Sequence, residues 1–419
     1  MAPLPELPRI IENLYRDQRD RILATLIGLL HDFDLAEETM QEAFATALSQ
    51  WEGCGVPENP RAWIVSAARN KAVDRVRRDV RFREMHPEIQ RLVAMDAVPL
   101  AAMPDDPFPD DRLRLIFTCC HPALPEEAQI ALTLRTLCGL TTEETARVFL
   151  VSPPAMAQRL VRVQRKIVDA GIPYYVPPLP LLPERLDVVL ATVYLIFTAG
   201  YSATFGAELI RKDLCSEAIR LARILVEFFP AHSEPRALLA LMLLHDSRRE
   251  TRTDAWGNIV LLNHQDRAHW NEEEIQEGVD LLEEALRAGA GRSRYGVEAA
   301  IAALHSTAQT PDETDWPQIV ALYEVLARVA PSPVVDLNAA VAVSMVDGPE
   351  AALRMLGHLE EHGHLSNYHL LPATQAQMLE KMERWTEACK YYERAISLTR
   401  NEAERRFLEQ KLAGIPGKP

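Results

Sequence analysis

The sequence predicts an all-α protein built from several helical domains. Its 419 residues exceed the roughly 100–200 residues of one domain. Only 17 residues are glycine and 48% are hydrophobic, and the apolar positions recur mostly at spacings of three and four, the period of an amphipathic helix. The apolar run Asn258–Asn263, NIVLLN, is the best candidate for a β-strand. We therefore expect helices packed on helices and little sheet.

Charge is unevenly distributed along the chain. The formal net charge of −15 at first disfavours a nucleic-acid partner. Residues 171–419, however, hold 24 basic and 35 acidic residues, which is most of the acidic excess. Residues 31–60 hold seven acidic and no basic residues, whereas residues 61–91 hold nine basic and four acidic ones. Because these blocks cancel in the total, the net charge does not exclude a local phosphate-binding surface.

Membrane, disulfide and metal classes are disfavoured. The longest apolar runs, such as Val188–Gly200, are shorter than the roughly 18–20 residues of a membrane span. The first residues lack the basic and apolar stretches of a secretory signal, so we expect a cytoplasmic protein. The six cysteines show no disulfide-framework spacing. Cys119, Cys120 and His121 lie together, but no second ligand pair follows at zinc-site spacing. We predict core packing there and no metal.

Two proline-rich connectors divide the chain. Residues 92–111 contain four prolines, five acidic residues and no basic residue, which is typical of an extended linker. Residues 172–183 contain PYYVPPLPLLP, whose five prolines favour polyproline geometry. We therefore predict three helical domains, over residues 8–91, 112–171 and 184–419.

The first domain combines helices of opposite charge. The helix expected over residues 34–51 carries Glu38 and Glu42 four positions apart, and their repulsion indicates either a basic partner or a solvated face. Trp63 begins the next helix, where it could stack on an unpaired base, although a tryptophan is more often a core residue. Three basic residues share one face of that helix: Lys71, Arg75 and Arg78.

The second domain has the pattern of a helix-turn-helix. A helix is expected over residues 126–137, Thr141 or Thr142 can cap a short helix that runs to about Phe149, and Pro153 opens a third helix. In such a unit the second helix of the motif enters the major groove. On spacing alone, an ordinary helical pair with a solvated basic face is an equal alternative.

The third domain shows a weak internal repeat. Its period of 36 residues is close to the roughly 34 residues of a tetratricopeptide repeat. Four apolar positions recur at this offset: Ala340, Val343, Ala352 and Leu356 as Ala376, Leu379, Ala388 and Tyr392. We expect a tetratricopeptide-like stack of helices, whose concave surfaces commonly bind peptides or proteins.

Taken in order, these features resemble a bacterial RNA polymerase sigma factor of the extracytoplasmic-function group. The resemblance is carried by Asn59-Pro60-Arg61-Ala62-Trp63 and the following Ala67–Arg78, placed between the acidic helix and the helix-turn-helix. It covers residues 8–171 and implies a promoter-melting domain two and a promoter-distal domain four. The third domain resembles the C-terminal extension of one sigma subgroup.

The resemblance implies three contact surfaces. The first docks on the clamp helices of the largest subunit of core RNA polymerase, through Asp34, Glu37, Glu38, Gln41 and Glu42. The second reads and opens the -10 element of promoter DNA, through Arg61, Trp63, Asn70, Arg75 and Arg78. The third reads the -35 element, through Ala155, Gln158, Arg159 and Arg162. Pro153, Pro154 and Ala155 replace a more polar start of this helix, so base readout there is expected to be sparse.

Two other functions compete with a sigma factor. The first is a stand-alone helix-turn-helix regulator with a helical-repeat sensor domain. The second is an enzyme in the third domain, where Gln265, Asp266, Arg267 and Trp270 form a charged stretch. No base, nucleophile, Walker sequence or glycine-rich cofactor loop accompanies that stretch. We therefore expect no catalysis and no cofactor, and a third domain that regulates in cis or binds a protein or peptide.

Overall fold

The computed structural model describes residues 7–30, 32–80, 110–137, 140–149, 151–169, 182–201 and 210–416. Over these ranges the regular structure is helical, which confirms the all-α prediction. The strand predicted at Asn258–Asn263 is wrong. Only Ile259 pairs, in an isolated antiparallel bridge with Thr253, and the run ends in the 3₁₀ turn Leu262–His264. The predicted linkers at 92–111 and 172–183 lie largely outside the described residues.

The chain divides into two compact units. Unit 1 comprises Met1–Thr145 and Met156–Thr192, and unit 2 comprises Ala146–Ala155 and Val193–Pro419. The helices up to the end of unit 1 are α1 (Leu7–Leu30), α2 (Phe33–Cys54), α3 (Pro60–Val80), α4 (Asp111–Cys119), α5 (Glu126–Leu137), α6 (Thr142–Val148), α7 (Pro153–Asp169) and α8 (Pro183–Tyr201). Helix α8 contributes its first half to unit 1 and its second half to unit 2.

Local signals define the ends of α2 and α3. Asp32 accepts a hydrogen bond from the amide of Leu35 at 3.0 Å and so caps the start of α2. Gly55 ends this helix at a φ of +81°, which glycine adopts without steric cost. Asn59 accepts from the amide of Ala62 at 3.0 Å, and Pro60 begins α3. A proline suits this first helical position because its missing N–H would have no partner in the helix.

The core of unit 1 forms around α1. This helix packs against α2, α3, α4 and α5. Its inward side chains are at most 1% exposed: Ile22, Leu23, Leu26 and Ile27. Fully burying an aliphatic side chain of this size contributes roughly 1.5–3 kcal/mol relative to its exposed state. The apolar face of α1 is therefore the main structural support of the candidate surfaces on α2 and α3.

The helix-turn-helix begins with a reciprocal cap. The amide of Glu144 donates to the Thr141 hydroxyl at 3.1 Å, and the Thr141 amide donates to the Glu144 carboxylate at 2.7 Å. This capping box satisfies two amides that a helix start otherwise leaves without partners, and it confirms the predicted cap at Thr141. Helix α7 begins at Pro153, as predicted.

Cys119 and Cys120 are core residues of unit 1. Each is at most 2% exposed. Burial raises the pKa of Cys119 far above its ordinary value and that of Cys120 to about 12, so both thiols stay protonated. In the described ranges, no group of three or more His, Cys, Asp or Glu side chains is arranged to hold a metal. No described helix is long and apolar enough to cross a membrane.

The described part of unit 2 is also helical. Its further helices are α9 (Lys212–Phe228), α10 (Ser233–Asp246), α11 (Glu272–Arg287), α12 (Arg294–Thr307), α13 (Trp316–Val329), α14 (Pro333–Val346), α15 (Pro349–Glu361), α16 (Leu370–Lys381), α17 (Trp385–Leu398) and α18 (Glu402–Ala413). Helix α10 packs against α9, α11 and α12. A Cβ atom on Gly278 of α11 would lie 2.9 Å from Leu244, so glycine allows the close approach of α11 to α10.

The repeat positions predicted from the sequence lie in the core of unit 2. Val343 is half-buried. The other seven are 0–1% exposed: Ala340, Ala352, Leu356, Ala376, Leu379, Ala388 and Tyr392. Small and apolar residues at these positions let successive helices pack closely. A tetratricopeptide-like geometry stays a prediction.

Candidate functional site

The acidic face of α2 meets the basic face of α3 within unit 1. Glu38 forms an ion pair and hydrogen bond with Arg75. Glu42 and Lys71 form a second pair, with 3.7 Å between the carboxylate oxygen and Nζ. Both pairs form because each helix presents its two charges four residues apart, on one face. The acidic face predicted to bind polymerase and the basic face predicted to bind DNA are thus in direct contact.

These ion pairs lie at the protein surface. The side chains of Glu38 and Arg75 are 59% and 42% exposed, and an exposed pair contributes about 0–1 kcal/mol to stability. Glu37 pairs with Arg19 at 3.2 Å. Gln41 is exposed, and the side chain of Asp34 lies outside the described set. The basic partner that the spacing of Glu38 and Glu42 indicates is therefore present in the chain itself.

The residues predicted to handle the -10 element have different surroundings. Trp63 is half-buried and meets the ring of Trp51 edge-on, with 5.3 Å between ring centres. Arg61 donates from Nη2 to the Thr25 hydroxyl at 3.2 Å. Asn70 is exposed, and the side chain of Arg78 lies outside the described set. Trp63 therefore packs partly on the core, and its role in stacking on an unpaired base stays a prediction.

The residues predicted to read the -35 element lie on the outward face of α7. Ala155, Gln158 and Arg162 are exposed. Arg159 is half-buried and lies 2.8 Å from the Glu127 carboxylate. The opposite face of the helix is at most 8% exposed: Met156, Leu160, Val163 and Ile167. Helix α7 therefore turns its apolar face to the core and its polar face to solvent, as a helix that reads DNA requires.

Sequence reasoning assigned no site role to Lys71 and Glu127, although the structure shows each in an ion pair with a site residue. The spacing of Lys71 and Arg75 was a usable signal, since it matches that of Glu42 and Glu38. Glu127 offered no such signal, because its contact with Arg159 depends on how α5 and α7 pack.

The charged stretch considered for an enzyme is a structural loop. The side-chain amide of Gln265 donates to the carbonyl of Val260 at 3.0 Å. The indole N–H of Trp270 donates to the Thr251 hydroxyl at 3.0 Å. Asp266 accepts from the amide of Ala268 at 3.1 Å and caps a 3₁₀ turn. These contacts give Gln265, Asp266 and Trp270 a structural role in the loop.

Three family models match the chain in the order of its domains. Sigma-70 region 2 matches residues 14–82, and Sigma-70 region 4 matches residues 114–167. A family of unknown function, DUF6596, matches residues 185–286. A protein of Rhizobium meliloti (strain 1021), described as uncharacterized, is 41% identical over 403 residues, which cover 96% of this chain and 95% of that protein.

These matches, together with the outward-facing helix of the helix-turn-helix, define a transcription initiation factor that binds core RNA polymerase and promoter DNA. The chain belongs to the sigma-70 family, as a sigma factor of the extracytoplasmic-function type with a C-terminal extension. This confirms the family predicted from the sequence. Sigma factor families are non-enzymatic DNA-binding regulators.

Proposed function

We propose that the chain contacts polymerase through the acidic face of α2, reads promoter DNA through α3 and α7, and is regulated by its C-terminal helices. The observation that carries this proposal is the direct pairing of Glu38 with Arg75 and of Glu42 with Lys71. Because of this pairing, the charges of the surface proposed for polymerase and of the surface proposed for DNA directly affect each other.

The acidic face can exchange one basic partner for another at small cost. Glu38 and Glu42 are exposed, and each of their ion pairs is worth about 0–1 kcal/mol. Basic residues of the polymerase clamp helices can therefore replace Arg75 and Lys71. The exchange leaves Arg75 and Lys71 available for the phosphates of DNA, which they bind without reading sequence.

The DNA surfaces divide into base and phosphate contacts. The accessible part of Trp63 offers an aromatic face to an unpaired base, a contact worth about 1–3 kcal/mol. Gln158, Arg159 and Arg162 on α7 offer the polar groups that reach base edges or phosphates in the major groove. Ala155 offers only a methyl group, which fits the sparse readout expected at the start of this helix.

Charge reversal in the full-length protein tests the polymerase surface. Glu38→Lys with Glu42→Lys replaces the acidic face by a basic one, so we expect at least tenfold less co-purification with core polymerase and a matching loss of run-off transcription. Glu52→Lys with Glu58→Lys is the matched control, because both residues are exposed, belong to the same region and give the same change in charge. If both variants co-purified equally well with core polymerase, the proposal would be contradicted.

The same variant separates a sigma factor from a stand-alone regulator. A regulator that binds operator DNA by itself has no need of the acidic face, so its transcriptional effect would survive the reversal. A sigma factor acts only as a polymerase subunit, so loss of polymerase binding abolishes promoter-specific transcription even where the DNA surface is intact.

Regulation by the C-terminal helices is tested by deletion after α8. A chain that ends at Tyr201 keeps the contact from Arg185 of α8 to the carbonyl of Phe117, 2.6 Å long. Residues 171–419 carry most of the acidic excess, and negative charge repels DNA. We therefore expect the shortened chain to bind non-specific DNA more tightly than the full chain. Unchanged affinity, with unchanged run-off transcription, would contradict regulation in cis.

A further inference from the structure

Three arginines converge at the ends of three helices in unit 2. Arg252 donates to the carbonyl of Tyr201, the last residue of α8, and its guanidinium carbon lies 3.7 Å from the centre of the Tyr201 ring. Arg267 donates to the carbonyl of His305, near the end of α12, at 2.7 Å. Arg248 follows the end of α10, and its Nη2 lies 3.2 Å from Nδ1 of His245. We refer to Arg248, Arg252 and Arg267 as the arginine cluster.

The arginine cluster has no carboxylate partner among the residues that the structure describes. The acids that act on Arg252 and Arg267, and Asp246 close to Arg248 in the sequence, are engaged elsewhere. Asp246 pairs with Arg249. Glu404 lies 3.2 Å from His369 and accepts from the Thr399 hydroxyl at 3.1 Å. Glu313, which acts on Arg267 from a distance, accepts from the Thr310 hydroxyl at 3.1 Å.

The mutual repulsion of these charges is visible in the neighbouring groups. Burial, and then Arg248, lowers the pKa of both Arg252 and Arg267. Burial together with Arg248 and Arg267 lowers the pKa of His305 to about 4, so this imidazole is neutral at pH 7. The pKa of His245 is also lowered well below its ordinary value, by burial and then by Arg248. The site is therefore strongly electropositive without any help from the histidines.

The backbone offsets only part of this charge. A helix C-terminus carries about half a negative charge, so the ends of α8, α10 and α12 supply roughly −1.5 against three guanidinium groups. The remaining charge of roughly +1.5 matches a phosphate monoester, which carries about −1.5 to −2 at pH 7. A single carboxylate would leave part of the charge uncompensated.

Polar atoms at the site are also available to a ligand. The Tyr201 hydroxyl, Arg267 Nε and His305 Nδ1 are buried and have no hydrogen-bond partner within the described part of the chain. The side chains that carry them are half-buried, as are Arg248 and Arg252, so the cluster is recessed and yet open to solvent. Buried polar atoms without partners are destabilising, and a hydrogen-bonding ligand would supply the missing partners.

We propose that the arginine cluster, together with the Tyr201 hydroxyl, binds the phosphate group of a small phosphate monoester. Guanidinium groups suit this ligand because their N–H groups form charge-assisted hydrogen bonds with phosphate oxygens. The site shares no residue with the proposed promoter and polymerase contacts, and it gives the C-terminal extension a ligand-binding activity of its own.

Inorganic phosphate is the probe for this site, with the full-length protein at constant ionic strength. We expect phosphate at a hundred times its dissociation constant to raise the melting temperature by about 5 °C. Arg248→Gln is the diagnostic variant, because the Arg248 side chain makes its one described hydrogen bond with His245, and it should weaken phosphate binding at least tenfold. Arg354→Gln, an exposed arginine on α15, is the control and should bind as the parent does.

Three outcomes would overturn the proposal. The first is no phosphate-dependent shift in the parent protein, and the second is an equal shift in the parent and Arg248→Gln. The third is an equal shift with succinate, which would show a general anion effect in place of phosphate recognition. Proton NMR supplies a further readout, since bound phosphate should raise the pKa of His305 from about 4. Neither polymerase nor promoter is present, so failure here leaves the sigma-factor assignment intact.

Discussion

Two arginines of unit 1 and two of unit 2 have different surroundings. In unit 1, Arg75 faces Glu38 and Arg159 faces Glu127, and these side chains are 29–68% exposed. In unit 2, Arg252 and Arg267 donate to main-chain carbonyls at helix ends and lie over aromatic rings, 3.7 Å and 4.6 Å from the ring centres. Arg75 and Arg159 thus have carboxylate partners at the surface, whereas Arg252 and Arg267 have none among the residues that the structure describes.

This difference decides how easily each arginine can exchange its present partner for another. An exposed ion pair is worth about 0–1 kcal/mol, so the arginines of unit 1 can change partners when polymerase or DNA arrives. A half-buried guanidinium that donates to helix carbonyls and stacks on a ring contributes more, so Arg252 cannot leave its position without loss of stability. Arg248 has the fewest such contacts, which makes it the most available for a ligand.

The largest expected effect is on stability in unit 2. Arg252→Gln removes a charged hydrogen bond to Tyr201 and a stacking contact with its ring, so we expect about 3 kcal/mol less free energy of unfolding in urea. Arg75→Gln, the matched change in unit 1, should cost less than about 0.5 kcal/mol. Equal losses would remove the distinction between the two kinds of arginine.

The next effect is on promoter binding by unit 1. Arg159→Ala with Arg162→Ala should weaken binding of a cognate promoter by about 2 kcal/mol, or roughly thirtyfold, because base and phosphate contacts are both lost. The free energy of unfolding should change by less than about 1 kcal/mol, since Arg162 is exposed and Arg159 pairs with an exposed carboxylate, that of Glu127. The control is Arg328→Ala with Arg354→Ala, two exposed arginines of unit 2. If the control weakened binding as much, total charge and not the face of α7 would be responsible.

Local sequence patterns predicted the helices and several of their ends. The cap at Thr141 and the start of α7 at Pro153 both follow from signals within one helical turn. The strand predicted at Asn258–Asn263 failed because an apolar run forms a strand only with a partner strand. Here only Ile259 pairs, and Gln265 binds the carbonyl of Val260 instead.

Contacts between distant segments could not be predicted in the same way. The pair Glu38–Arg75 joins residues 37 positions apart, and the spacing within each helix shows only that a partner of opposite charge would fit. The arginine cluster was missed for a stronger reason. Its charges become neighbours only where the ends of α8, α10 and α12 meet, and no periodicity in the sequence indicates that meeting point.

A carboxylate of unit 2 supplies a pH-dependent test. Burial, and then Asp246, raises the pKa of Glu274 from 4.5 to about 7. The folded state therefore disfavours the ionised carboxylate, and this penalty is absent below pH 4.5 and complete above about pH 7. Glu274→Gln should be more stable than the parent by about 1 kcal/mol at pH 8, a figure reduced for partial exposure, and equal to it at pH 4. Chemical unfolding at both pH values measures this.

The neighbouring residue is the control for that test. Glu273 is exposed. In Glu273→Gln, the free energy of unfolding should therefore differ between pH 4 and pH 8 by the same amount as in the parent. A Glu274→Gln variant with the parent's pH dependence would show that the carboxylate is solvated in solution, and the contrast between the surface charges of unit 1 and the half-buried charges of unit 2 would weaken.

The smallest expected effect is at the exposed pairs of unit 1. Glu38→Gln with Glu42→Gln frees Arg75 and Lys71 from their carboxylates, so the full-length protein should bind non-specific DNA about two- to threefold more tightly, with a salt slope larger by about one. Glu52→Gln with Glu58→Gln makes the same change in net charge away from α3. If the affinity for non-specific DNA rose equally in both variants, the increase would follow from overall charge. A gain confined to Glu38 and Glu42 would show that these carboxylates compete directly with DNA, which an ion pair of such small energy permits.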